Sequence, residues 1–183
     1  MKRKLSFGTF LLPVMLFFFS SCQKEAGDVI LDENVASLTA AGGTESKKLE
    51  TELLKSLRQS TARFNSTTQA IQAGYTPDDH CVSLVGVGGM GYHWVNRSLV
   101  DAVLDPLNPE VLLYATGTGG NLRLVAVEYI VLNVGQAAPM FGTEPFKVGG
   151  APLPVPHWTL HVWVHENNPS GMFANFNPTI TCP

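Results

Sequence analysis

Leu122-Arg123-Leu124-Val125-Ala126-Val127-Glu128-Tyr129-Ile130-Val131-Leu132 decides the fold. Both of its alternating faces are apolar, as in a strand covered on two sides, so it is read as the centre of a sheet. Thr116-Gly117-Thr118-Gly119-Gly120-Asn121 before it has the composition of a hairpin loop, and Val111 to Ala115 before that is a short apolar strand. The pair predicts an antiparallel sheet. Glu128 is the one carboxylate in the run, and a carboxylate buried there needs a partner, with Arg97, Arg123 or a histidine as candidates.

Outward from this strand the chain keeps its β character. Met90 to Asn96 reads as extended, and Leu104 to Pro109 (LDPLNP) as a turn cluster. Gly86 to Gly91 (GVGGMG) lacks the Lys-Ser/Thr of a phosphate loop and opens no helix, so it is read as a flexible turn. On the other side, Pro139 to Pro156 carries five prolines and no period, which predicts a long loop of the kind that often carries function. It runs into Thr159 to His165, which alternates: Leu160, Val162 and Val164 form a core face, and His161, Trp163 and His165 the opposite one. Beyond His165, Asn168-Pro169 and Asn177-Pro178 break the chain into irregular segments.

Glu45 to Gly74 has the helical period instead. Leu49, Leu53, Leu57, Phe64 and Ile71 share a face, Ser66 with Gln69 predicts a restart near Asn65, Gly74 is placed as the C-cap and Pro77 as the stop. The expectation is one α+β domain over residues 45–183, a long N-terminal helix packed on an antiparallel sheet of four or five strands.

Residues 1–21 are set apart as a lipoprotein signal peptide. Lys2, Arg3 and Lys4 are its basic start, Phe7 to Phe19 its apolar run, too short to span a membrane, and Phe18-Phe19-Ser20-Ser21-Cys22 resembles a bacterial lipobox. Cys22 is the expected lipidation site, with an outer-membrane, periplasmic or surface-facing location, and residues 22–44 are read as a flexible tether. The precursor has 12 Lys+Arg against 15 Asp+Glu; without its first 21 residues 9 cations remain, a net charge of −6. That balance argues against a nucleic-acid partner. With Cys22 given to lipid, Cys81 and Cys182 remain in a compartment where disulfides persist, and they are expected to pair.

Met90 to Asn96 (MGYHWVN), Leu104 to Pro106 (LDP), Val127 to Val131 (VEYIV), Leu160 to Trp163 (LHVW) and Asn168 to Cys182 (NPSGMFANFNPTITC) resemble a family of exported bacterial and fungal proteins of unassigned function. Ala62 to Tyr75 and Cys81 fit the same pattern. The resemblance implies a domain boundary and carries no activity with it.

Two functional readings come from the residues. The favoured one is a non-catalytic binding lipoprotein for a small molecule or peptide, its groove between the Pro139 to Pro156 loop and the strand bearing His161, with Trp94, Trp158 and Trp163 as a platform. The alternative is a copper- or zinc-binding protein or metalloenzyme using His93, His157 and His161, with Glu128 beside the metal or as acid/base. His161 and His165 lie about 13 Å apart along an extended strand and cannot share one ion. Neither reading establishes that the protein is an enzyme: there is no nucleophile elbow, no haem attachment motif and no free cysteine to act as nucleophile once Cys81 and Cys182 pair.

Overall fold

The computed structural model describes residues 33–150 and 153–183, with side chains from Gly43 onward. Residues 1–21 and Cys22 lie outside the described residues, as does the start of the expected tether. Helix α1 spans Glu33–Thr61, a 3-10 turn follows at Ala62–Asn65, and α2 spans Thr67–Gln72. The restart near Asn65 is therefore present, with Ser66 as N-cap of α2, although its side chain makes no capping hydrogen bond. Gly74 takes φ +98° just past the end of α2, the backbone that favours glycine at this place.

Helix α1 begins well before Glu45, so residues 33–44 are helix where a tether was expected. Ala36, Leu38, Ala40 and Ala41 are good helix formers, and a glycine pair costs only about 1 kcal/mol per residue in a helix interior. The helix docks through its last turns. Leu57 is fully buried, and Leu53 and Leu54 pack beside it, whereas Leu49 is 67% exposed and Ile71 in α2 is 52% exposed. The apolar stripe thus extends past the surface that covers it.

The strands among the described residues are β1 (Cys81–Leu84), β2 (Gly88–Val95), β3 (Val111–Thr116), β4 (Leu122–Leu132), β5 (Met140–Phe141), β6 (Glu144–Pro145), β7 (Lys147–Val148) and β8 (His157–Val162). Six form one antiparallel sheet in the order β1-β2-β3-β4-β8-β7, and β5 pairs with β6. The fold is α+β, with six strands where four or five were expected. The additions are β1, closed on β2 by a turn after Leu84, and β7, two residues of the proline-rich segment paired with Trp158 and Thr159. β4 has a paired strand along each edge, and its two apolar faces are covered by two different clusters.

A bulge sets the two faces of the sheet. Leu113 pairs with Ala126 and Tyr114 with Leu124, so Val125 is the extra residue. Leu112, Tyr114, Leu124, Val127, Tyr129, Leu160 and Val162 form a core with Leu57, Phe64 and Ala70 from the helices. Leu113, Ala115, Val125, Ala126, Trp163 and Ile180 form a second cluster. Tyrosine hydroxyls tie the layers: Tyr114 donates to the Phe64 carbonyl, Tyr75 to Pro109 and Tyr129 to Pro106, each at 2.6 Å.

The C-terminal segment is strapped to the second face. Cys81 and Cys182 form a disulfide across a sequence separation of 101, and Asn177 exchanges two backbone hydrogen bonds with Gly89. Gly88 and Gly89 are strand residues, not the flexible turn read from GVGGMG. A Cβ on Gly88 would stand 2.3 Å from the Asn177 carbonyl oxygen, so a side chain there would push the strap away.

Candidate metal centre

Three strands bring His93, Glu128 and His161 together. Glu128 on β4 lies directly opposite His161 on β8. His93 on β2 pairs with Leu113 on β3, and Leu113 with Ala126, two residues from Glu128 on the same side of β4. Alternation then points all three side chains to the face away from the helices. His93 Nε2 is 3.7 Å from Glu128 Oε2, and His161 Nε2 is 3.8 Å from the same oxygen. The ligand atoms of the three residues lie within 4.8 Å of one another, and the group could hold a metal ion. Bonds of about 2.1 Å around a tetrahedral ion place donors about 3.4 Å apart, so closing on one requires both histidines to move toward Glu128 by a few tenths of an ångström, and the two imidazoles to approach each other by up to about 1.4 Å.

The charge state suits that role. Burial lowers the pKa of His93 below the ordinary imidazole value against the pull of Glu128, which favours the neutral ring that a metal needs. Burial pushes Glu128 up, but His161, His93 and the Thr159 hydroxyl together outweigh it and hold the group below the usual carboxylate range. Thr159 Oγ1 donates to Glu128 Oε1 at 2.5 Å. His161 is buried and both of its ring nitrogens lack a hydrogen-bond partner, as does His93 Nδ1. Buried polar atoms without partners cost about 1–3 kcal/mol each, so the concentration of them here calls for an explanation.

Other expected site residues are placed differently. His157 shares the face of His161, but its Nδ1 lies 2.8 Å from the Val155 carbonyl oxygen and its Nε2 sits where a Cβ on Gly149 would be, at 2.0 Å. It stands outside the triad, and Glu128, expected beside the metal, takes the third ligand position. His165 does not continue the histidine face: β8 ends at Val162, and His165 Nε2 lies 2.8 Å from Thr61 Oγ1 of α1. Burial and the nearby Arg58 charge pull its pKa down to about 4. Arg123 pairs with Glu166, leaving the histidines as the partners of Glu128.

The tryptophan platform is not formed. Trp94 is buried against Tyr114 in the helix-side core, Trp158 packs on that same cluster, and Trp163 is buried in the second cluster with its Nε1 donating to the Ala174 carbonyl. The proline-rich segment meets the histidine face at His157, through Gly149 and Val155, while its aromatic part turns to the other face. Phe141 and Phe146 are buried in ring contact with Tyr129, which belongs to the helix-side core. Two surface depressions, of about 610 and 370 Å³, lie at Thr116–Arg123 and at the β1–β2 turn with Pro178 and Ile180, away from the triad.

Compared with protein-family models, with curated proteins and with solved structures, the chain matches none.

Proposed function

We propose that the chain is an exported lipoprotein, tethered to the outer membrane through Cys22, whose domain binds a divalent transition metal through His93, Glu128 and His161. One observation carries the metal reading: three ligating side chains from three strands converge within 4.8 Å, and the most buried of them has no other partner for either ring nitrogen. Two imidazoles and a carboxylate suit zinc or cupric copper better than cuprous copper, which favours thiolate and thioether donors. Zinc is the first choice, since two histidines and a glutamate satisfy it without redox chemistry.

Elemental analysis of protein purified without chelators tests the metal reading. About one zinc or copper per chain is expected, lost in His161→Ala and in Glu128→Gln and kept in His157→Ala. A metal content far below one per chain, with none taken up on dialysis against zinc or copper, ends this reading. The anchor is tested separately: Cys22→Ala should move the protein from the membrane fraction to the soluble one, and an unchanged distribution refutes it.

A further inference from the structure

His93, Glu128 and His161 approach an ion from one side, because all three project from the same face of one sheet. Donors arranged in this way cap the ion and leave the positions pointing away from the sheet to other ligands. No fourth histidine, cysteine or acid joins the group among the described residues. Closed structural zinc sites take four protein donors, whereas sites with three keep a position for water or substrate. His93 and Glu128 are the less buried members of the group, with side chains 19% and 12% exposed, against 4% for His161.

Glu128 could itself fill the next position by binding through both oxygens. Thr159 stands against that. Its hydroxyl donates to Oε1, while both histidine Nε2 atoms face Oε2. Thr159 precedes His161 by two residues on the same face of β8, so the strand that delivers a ligand also delivers the group restraining the carboxylate. Partners that orient ligands in this way are commonly worth tenfold or more in affinity.

We propose that Thr159 holds Glu128 to coordination through Oε2 alone, and so keeps a solvent-side position on the metal free for a small anion with an oxygen or nitrogen donor. A dication bound by one carboxylate and two neutral imidazoles keeps one positive charge, which favours an anion over a neutral ligand. Thr159 is a positioning residue in this arrangement. The inference rests on the metal reading above.

Cobalt(II) in place of zinc makes the position visible, with azide as the probe. Wild-type protein loaded with one cobalt per chain should show a saturable change in its visible spectrum as azide is added. Thr159→Val should keep the cobalt and weaken azide binding about tenfold or more, because the freed Oε1 turns onto the metal. Thr159→Ser, which restores a hydroxyl, should recover wild-type affinity; Thr159→Ala serves in place of valine if that variant does not fold. Failure of the wild type to take up cobalt refutes the metal reading itself. Stoichiometric cobalt with a spectrum indifferent to azide, or equal azide affinity with and without the Thr159 hydroxyl, refutes this inference and leaves the metal reading standing.

Discussion

Replacing His161 with phenylalanine should reverse the order of stability between chelator and metal. His161 is buried and neither of its ring nitrogens is hydrogen-bonded. An unsatisfied buried polar group costs about 1–3 kcal/mol, and phenylalanine offers a ring of similar shape with no polar atom. Against this stand the slightly larger ring, which costs some strain, and the loss of a neighbour for Glu128, which keeps the Thr159 hydrogen bond and His93. The net expectation is a gain of about 1–2 kcal/mol for His161→Phe in EDTA. With free zinc at about 100 times its Kd, the wild type gains about 2.7 kcal/mol and the variant, short of one ligand, gains little. For a domain of this size each kcal/mol moves Tm by about 2–4 °C, so calorimetry should find the variant melting higher in EDTA and the wild type melting higher in zinc. If the variant melts lower in EDTA, His161 is a satisfied core residue; if zinc raises both equally, it is no ligand.

Three further outcomes are set by the fold. Burial pushes the Glu110 carboxyl up to about 7, so between pH of about 4.5 and 7 the folded protein holds a proton that the unfolded chain has lost, and stability falls as pH rises through that window. His165, held down to about 4, acts oppositely, losing stability as pH falls from about 6.5 to 4. Glu110→Gln keeps an acceptor for the Ile130 amide and should remove a loss of about 3 kcal/mol at pH 8, leaving the acid slope to which His165, His93 and Glu128 contribute in urea titrations across pH. Cys81→Ser with Cys182→Ser should lower stability by about 4–5 kcal/mol in denaturant unfolding, since the bond closes a loop of about 100 residues. Tyr114→Phe leaves the Phe64 carbonyl without its buried donor and should cost about 1–3 kcal/mol by the same measurement.

Long elements with a clear period were legible. Leu122 to Leu132 is an inner strand because both of its faces are apolar, and Ser66 with Gln69 marks the restart after Asn65. The elements that escaped are those whose existence depends on a distant neighbour. β7 is two residues long and exists only because β8 lies beside it. Gly88 and Gly89 read as a turn by composition, but they pair with Leu84 and Ser83 of β1, and they are glycines because the strap at Asn177 and Ile180 passes too close for a side chain. Ahead of Glu45 the sequence of α1 shows no amphipathic period, so nothing in the pattern marked where the helix begins.

The site was legible in its residue types and not in its membership. Glu128 stands out as a lone acid in a two-sided apolar strand, and His93 and His161 as members of a histidine group. Choosing between His157 and Glu128 as the third donor required the register. Along one strand, ligands two residues apart on the same face are separated by about 7 Å and those four apart by about 13 Å, so His157 and His161 could never have met on one ion while both remained in β8. Across strands the spacing is about 5 Å per step, and a residue directly opposite is the natural partner. Only one register, Glu128 against His161, puts a carboxylate there, and a slip by one residue would turn every side chain of β8 to the other face. Leu160 and Val162 in the helix-side core forbid that slip, so the same apolar residues that build the core also fix which side chains make up the candidate site.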